Sequence, residues 1–197
     1  MKGIIGTILI LIGFQSCAQK DLRKNYQIEK TIWKFEIPNG FKVKVDNFKE
    51  VVGVGNEYLE KDTTNNVTYD DVVLLSLAKS LDKNMNMLRV SYKQNNDNIT
   101  LLTLKGYAEK MKEVFENGPN KDDSNIVEKV TIEELIIDNI IFYNVKKNNE
   151  YLEEKYSYTS EFIVAEIDNR EFGFVIITDN DEDRKRLMNS VLESEFE

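Results

Sequence analysis

Apolar and polar residues alternate along several short stretches of the chain, which is the pattern of half-buried β-strands. Residues 33–37 and 41–45 show it on either side of Pro38-Asn39-Gly40, a combination that favours a tight turn. They predict a β-hairpin. Residues 72–79 are nearly all apolar, as expected for a strand covered on both faces. Residues 85–93 follow as another strand, after a turn at residues 82–84.

Two further hairpins are predicted in the second half of the chain. Residues 127–137 and 140–146 alternate in polarity and are separated by Asp138-Asn139, a residue pair that accepts the positive φ angles of a two-residue hairpin turn. Residues 156–167 and 171–178 are separated in the same way by Asp168-Asn169-Arg170.

Two segments have the three- and four-residue spacing of amphipathic helices. In residues 100–117 the apolar stripe would face the core, with Thr100 or Thr103 as N-cap; its members are Leu104, Tyr107, Ala108, Met111, Val114 and Phe115. Residues 181–192 form the second helix, with Asp179 and Glu182 placed as a capping box. The residues that it is expected to bury are Leu187, Met188, Val191 and Leu192.

About eight strands in hairpins and two helices, without βαβ alternation, indicate the α+β class: an antiparallel β-sheet flanked by helices. The length of 197 residues suits one domain, which we place at residues 31–197. Residues 47–71 form a long segment that is interrupted by glycines and by a polar run at residues 61–66, without a motif that can be aligned. Segments of this length are often functional or mobile.

The N-terminus indicates export. Lys2 precedes an apolar run, residues 4–14, that ends just before Cys17. The run is about half of the roughly 20 residues needed to cross a bilayer, so it suits a cleaved signal peptide. It is similar to the bacterial lipoprotein signal, which implies cleavage after residue 16 and a lipid on Cys17. Residues 17–30 are then the lipidated cysteine and a polar tether.

Composition narrows the possible partners. The net charge is −9, and it becomes −10 without Lys2 (25 basic against 35 acidic residues). Such a charge repels nucleic-acid phosphates, so no nucleic-acid partner is expected. The single cysteine excludes an internal disulfide.

The chain contains no histidine, which excludes the usual Ser-His-Asp, Cys-His and His-bearing zinc sites. Two carboxylates would suffice for a glycosidase, and the adjacent acids are Asp70-Asp71, Glu133-Glu134 and Glu153-Glu154. With 35 acids in the chain such pairs arise by chance. We therefore expect that the protein is not an enzyme, and we assign no catalytic residue.

Other motifs fail. Residues 179–183 match the first positions of a calcium loop, but Arg184 stands where glycine is required. Residues 53–56 lack the third glycine of a dinucleotide motif, so neither a metal nor a cofactor is expected. Tyr151, Tyr156 and Tyr158 could form a recognition surface, although strand packing explains them more simply.

Several segments together resemble the PsbP-like superfamily, including its DcrB-like lipoproteins. These segments are the opening residues Phe35-Glu36-Ile37-Pro38-Asn39-Gly40-Phe41, the mid-chain helix, the hairpin at residues 162–177 and the closing helix that ends in Leu192-Glu193-Ser194-Glu195-Phe196. The resemblance implies an α/β/α sandwich and members that bind or assemble other proteins. It implies no catalytic residue.

We therefore expect a non-enzymatic protein-interaction or assembly module of the bacterial cell envelope, attached to the membrane through Cys17. Ala18 lacks the charge of an inner-membrane retention signal, which favours the outer membrane and its periplasmic face. The partner would be an envelope protein. Two alternatives stay open: a carrier of a small apolar ligand in a cleft between sheet and helix, and a carboxylate glycosidase.

Overall fold

A computed structural model describes residues 22–46, 71–80, 85–93, 103–118 and 123–197. These parts of the chain form ten strands and two helices. They are β1 (Arg23–Ile28), β2 (Thr31–Glu36), β3 (Lys42–Asp46), β4 (Asp71–Ala78), β5 (Met87–Lys93), α1 (Leu104–Glu116), β6 (Ile126–Ile137), β7 (Ile140–Tyr151), β8 (Tyr156–Ile167), β9 (Arg170–Thr178), α2 (Asp181–Leu192) and β10 (Glu195–Phe196).

The strands form two antiparallel sheets. Seven strands are ordered β3-β4-β5-β9-β8-β7-β6, and a smaller sheet has the order β1-β2-β10. The predicted α+β class is confirmed. The two late hairpins are also confirmed, since both residues of the Asp138-Asn139 and Asp168-Asn169 turns have positive φ angles, as a tight hairpin turn requires.

The predicted hairpin around Pro38 is wrong, although its turn forms. The amide of Phe41 donates to the carbonyl of Pro38 at 3.2 Å, and Gly40 has a φ of 89°. The strands on its two sides nevertheless lie in different sheets. Strand β2 already has β1 on one edge and β10 on the other, so β3 cannot pair with it and joins β4 instead.

The predicted tether is also corrected from residue 23 onward. Residues 23–28 form strand β1, which pairs with β2 along its whole length. Its Tyr26 and Ile28 side chains are buried, and the Tyr26 hydroxyl donates to Asp46 at 2.9 Å. The polar residues of this strand lie on its outer face, which is why the sequence looks like a solvated linker.

The two helices cover opposite faces of the large sheet. Phe115 of α1 packs against Phe162, with ring centroids 4.8 Å apart, whereas Arg184 of α2 bonds to Glu161. Successive side chains of a strand point to opposite faces, so adjacent residues 161 and 162 place the helices on either side. The arrangement is the helix–sheet–helix layering that the resemblance to the PsbP-like superfamily implied.

The main core lies between the large sheet, the small sheet and α2. Trp33 of β2 is fully buried, and its ring contacts Phe172 and Phe174 of β9 at centroid distances of 5.6 and 5.7 Å. Leu187 and Val191 of α2 are buried in the same cluster. Packing on the α1 face of the sheet is less complete, because Ala108 is the one fully buried residue of that helix.

Helix boundaries follow the predictions, but some details differ. Thr103 is the N-cap of α1, as predicted, and accepts from the Gly106 amide. Asn180 caps α2 through the Asp183 amide, so the capping box of Asp179 and Glu182 is wrong. Val114 and Leu192, both expected in the core, are exposed, because each lies at the edge of its apolar stripe.

Several predictions concern residues outside the described parts of the chain: the signal peptide, the lipidation of Cys17, the segment at residues 47–70, the turn at 82–84 and the glycines at 53–56. In the described part, no helix combines the length and apolar character of a transmembrane span.

A buried ion pair fixes α2 on the sheet. The guanidinium of Arg184 donates to both oxygens of Glu161, at 2.9 and 2.7 Å, and the Glu161 side chain is fully buried. The amide of Asn144 donates to the same carboxylate at 3.0 Å. Removing one partner of such a pair leaves an uncompensated buried charge.

We predict that Arg184→Met lowers the free energy of unfolding by about 3 kcal/mol or more, the usual cost of breaking a buried pair. Urea unfolding followed by circular dichroism measures it. Arg186→Met is the matched control, because Arg186 pairs on the surface with Glu182 of the same helix and its loss should cost less than about 1 kcal/mol. Equal losses in the two variants would contradict the assigned role of Arg184.

Candidate functional site

The described acids that the sequence offered as catalytic pairs do not converge. Glu133 and Glu134 are successive residues of β6 and point to opposite faces, where Asn144 donates to the first and Tyr143 to the second. Glu153 and Glu154 lie exposed in the turn after β7. Asp70 lies outside the described residues, so the pair with Asp71 is not testable there.

Two of the acids at residues 179–183, Asp179 and Asp183, bond to residues of the sheet and its connecting loops. Asp183 is fully buried and accepts from the ammonium of Lys79 at 2.7 and 2.8 Å. Burial alone would raise the pKa of Asp183, but the bonds from Lys79 and Asn180 outweigh it and lower that pKa. Asp179 accepts from Asn86 at 2.7 Å. The acids therefore join α2 to the strand ends of the sheet.

The three tyrosines named from the sequence do cluster. The rings of Tyr151, Tyr156 and Tyr158 lie at centroid distances of 6.1 to 6.3 Å from one another. They share one face at the end of hairpin β7–β8, and Tyr156 is 39% exposed. Their packing is mainly mutual, which agrees with the simpler explanation of strand packing.

A cleft of about 270 Å³ lies between α1 and the large sheet; we call it the α1 cleft. Its apolar walls are Met111 of α1 and three sheet residues, Phe162, Val164 and Val175. Ser91 and Gly173 are paired side by side across β5 and β9. Because both are small, they leave the space between the helix and the sheet unfilled.

The polar end of the α1 cleft is a three-residue cluster. Glu171 accepts from the ammonium of Lys93 at 2.7 Å and, through its other oxygen, from the hydroxyl of Tyr107 at 3.0 Å. Lys93 also lies 5.5 Å from the centre of the Tyr107 ring, within the range of a cation–π contact. Helix α1 and two strands are thus joined by one carboxylate.

Proton affinities in the cluster follow from these contacts. Burial would lower the pKa of Lys93, but the hydrogen bond and negative charge of Glu171 outweigh it, so the pKa is raised. Burial and the charge of Glu171 also raise the pKa of Tyr107. At neutral pH the lysine is therefore an ammonium and the tyrosine a neutral hydroxyl, so neither offers a ready base or nucleophile.

A row of charges crosses four strands at this end of the cleft. Asp71 is paired with Lys93 across β4 and β5, Lys93 bonds to Glu171, and Glu171 is paired with Glu166 across β9 and β8. Glu166 is exposed and forms no ion pair with any described residue. Glu171 and Glu166 carry two negative charges against the one positive charge of Lys93, so this part of the row has a net charge of −1.

An exposed apolar pair lies on the same face. Ile136 and Ile141 are directly paired across the hairpin β6–β7 and are 68% and 49% exposed. Ile136 lies two residues after Glu134, and Ile141 lies two residues before Tyr143. Both side chains are therefore on the face that α1 partly covers. Strand β6 is also an edge of the large sheet. We call Ile136 and Ile141 the isoleucine pair.

Sequence reasoning did not name Lys93, Tyr107 or Glu171 as site residues. The turn at Asp168-Asn169 could have placed Glu166 opposite Glu171, since a two-residue hairpin fixes its own register. The pairing of β5 with β9 joins residues about 80 apart in the chain, and no local pattern signals it. In the described parts of the chain, no three acid or cysteine side chains are grouped so as to hold a metal ion.

We predict that Glu171→Gln lowers the pKa of Lys93, because the substitution removes the carboxylate charge that favours the ammonium and leaves the effect of burial. A pH titration of the lysine side chain by NMR measures this. Glu166→Gln should shift that pKa in the same direction but by less, since Glu166 makes no direct bond to Lys93. An unchanged pKa in Glu171→Gln would contradict the assigned contact.

Comparison with known proteins gives little beyond the fold. No family model matches the chain, and no curated protein sequence matches it. Among solved structures, the chain is similar to the solution structure of cyanobacterial PsbP (CyanoP) from Synechocystis sp. PCC 6803, with 14% sequence identity and a TM-score of 0.47. The match covers 92% of this chain and 94% of that one. This likeness concerns the arrangement of strands and helices alone.

Proposed function

We propose that the protein is a non-enzymatic protein-interaction module of the bacterial cell envelope, attached to a membrane through a lipid on Cys17. The observation that carries the interaction role is the isoleucine pair. Two large apolar side chains, one of them on the edge strand β6, lie next to each other on an exposed sheet face. Edge strands and apolar surface patches are both common sites of protein association.

The non-enzymatic part of the proposal is supported by the α1 cleft. Among the described residues that line it, the cation Lys93 is bonded to Glu171, and Tyr107 is a neutral donor to the same carboxylate. The sequence has no histidine. The described residues of this cleft can hold a molecule by shape and charge, but none of them is an activated nucleophile. The acid pairs considered for a glycosidase do not converge where they are described, so they give no support to a catalytic role.

The envelope location is supported by the N-terminal sequence. An apolar run of signal-peptide length precedes the single cysteine, and Ala18 behind it favours the outer membrane and its periplasmic face. The partner is then expected to be another protein of the envelope.

A second candidate function, the carrier of a small apolar ligand, is favoured by the α1 cleft itself. Its volume of about 270 Å³ is close to the lower end of the range for small-molecule sites, and most of its wall is apolar.

For the anchor, we predict that Cys17→Ser abolishes membrane attachment, because a serine cannot carry the thioether lipid. Cells are fractionated, the membranes are washed with high salt and carbonate, and the protein is detected by immunoblot. Ser157→Ala, an exposed position of β8, serves as the control and should stay with the membranes. A Cys17→Ser protein that survives both washes would contradict the anchor.

For the interaction surface, we predict that the double variant Ile136→Lys/Ile141→Lys recovers about tenfold less partner protein after cross-linking in intact cells and affinity capture. Both positions are exposed, so thermal unfolding should change little. Val127→Lys is the matched control, since Val127 is exposed on the opposite face of the same strand.

The comparison between these variants decides the location of the surface. A loss confined to the double variant supports the isoleucine pair as the contact. Equal recovery from the double variant, the control and the unaltered protein would show that any partner binds elsewhere.

A further inference from the structure

The α1 cleft combines an apolar body with an acidic end, and this combination specifies the class of ligand that it suits. Met111, Phe162, Val164 and Val175 supply the apolar walls. Asp71, Lys93 and Glu171 line one end of the cleft, and Glu166 lies next to Glu171 on the neighbouring strand. Ligand sites of this kind gain affinity from the walls and specificity from the few polar groups.

The charges of the row decide the sign of the ligand's polar group. Lys93 forms an ion pair with Glu171, and its cross-strand neighbour on the other side is Asp71. A carboxylate or phosphate that approaches Lys93 would therefore meet one carboxylate on each side of it. A cation meets the opposite situation, because Glu171 and Glu166 together carry one more negative charge than Lys93 balances.

Acceptor capacity also favours a donor-bearing cation. Each carboxylate oxygen can accept about two hydrogen bonds, whereas each oxygen of Glu171 has one described donor, Lys93 or Tyr107. Glu166 lies directly across from Glu171 and has no described ionic partner. An ammonium group between these two carboxylates could donate to both, and it would relieve the repulsion of like charges on paired positions.

We propose that the α1 cleft binds a small apolar ligand that carries a primary ammonium group, with its ammonium between Glu166 and Glu171 and its apolar body against α1. This inference rests on the second candidate function, the ligand carrier, and names its substrate class. It does not depend on the isoleucine pair or on the identity of a protein partner.

Three water-soluble probes with the same six-carbon chain test the proposal: hexylammonium, 1-hexanol and hexanoate. The full chain is held in phosphatidylcholine nanodiscs, binding is measured by titration calorimetry at pH 7, and empty nanodiscs give the blank. We expect hexylammonium to bind about tenfold more tightly than 1-hexanol, and hexanoate to bind most weakly.

Three variants locate the binding. Glu166→Gln should weaken hexylammonium about threefold or more and leave 1-hexanol unchanged. Glu150→Gln removes the same charge from an exposed position of β7 outside the cleft and should leave both unchanged. Gly173→Val should weaken the binding of all three probes, because the valine side chain would fill the cleft floor. The fold should accept this change, since a Cβ at position 173 would be in ordinary contact with its neighbours.

The outcomes separate the ammonium from the carrier. Equal affinity for hexylammonium and 1-hexanol, both weakened by Gly173→Val, would leave a carrier but overturn the ammonium inference. Tightest binding of hexanoate, or equal effects of Glu166→Gln and Glu150→Gln, would also overturn it. Binding that Gly173→Val does not affect, or no binding of any probe, would overturn both the inference and the carrier.

Discussion

The packing of Trp33 against Phe172 and Phe174 is the contact on which the rest of the structure depends. It joins a three-stranded sheet to a seven-stranded one, and it fixes which face of β9 turns inward. Because side chains alternate along a strand, burying the phenylalanines sends Glu171, Gly173 and Val175 to the opposite face. The cleft on that side is therefore a consequence of the core on the other.

The two Asp-Asn turns add a polar link between the sheets. Asp168 accepts from the amides of Lys30 and Thr31 at 2.9 Å each. Burial would raise the pKa of Asp168, but the Thr31 side chain and these two amides outweigh it and lower that pKa. Asp138 accepts from the amide of Phe196 at 2.7 Å. Each turn thus closes its own hairpin and also satisfies backbone donors at the end of the small sheet, which would otherwise need water.

Local patterns predicted the elements well, and long-range pairing much less well. The strands and helices follow from alternation and helical spacing, which a few consecutive residues reveal. The prediction of a hairpin around Pro38 was wrong because both edges of β2 are already paired, one with β1 and the other with β10 near the end of the sequence. The site was missed for the same reason: Lys93 and Glu171 are polar residues on ordinary strands, and only the pairing of β5 with β9 gives them a shared role.

Strand β1 limits how far the domain can stand from a membrane. A polar linker up to residue 30 would let the protein move freely above the lipid, but the first described strand begins at Arg23. If Cys17 carries the lipid as proposed, six residue steps remain, and even a fully extended chain spans only about 20 Å over that length. The small sheet would then lie next to the lipid head groups, and a partner would have to approach the large sheet from the side or from above.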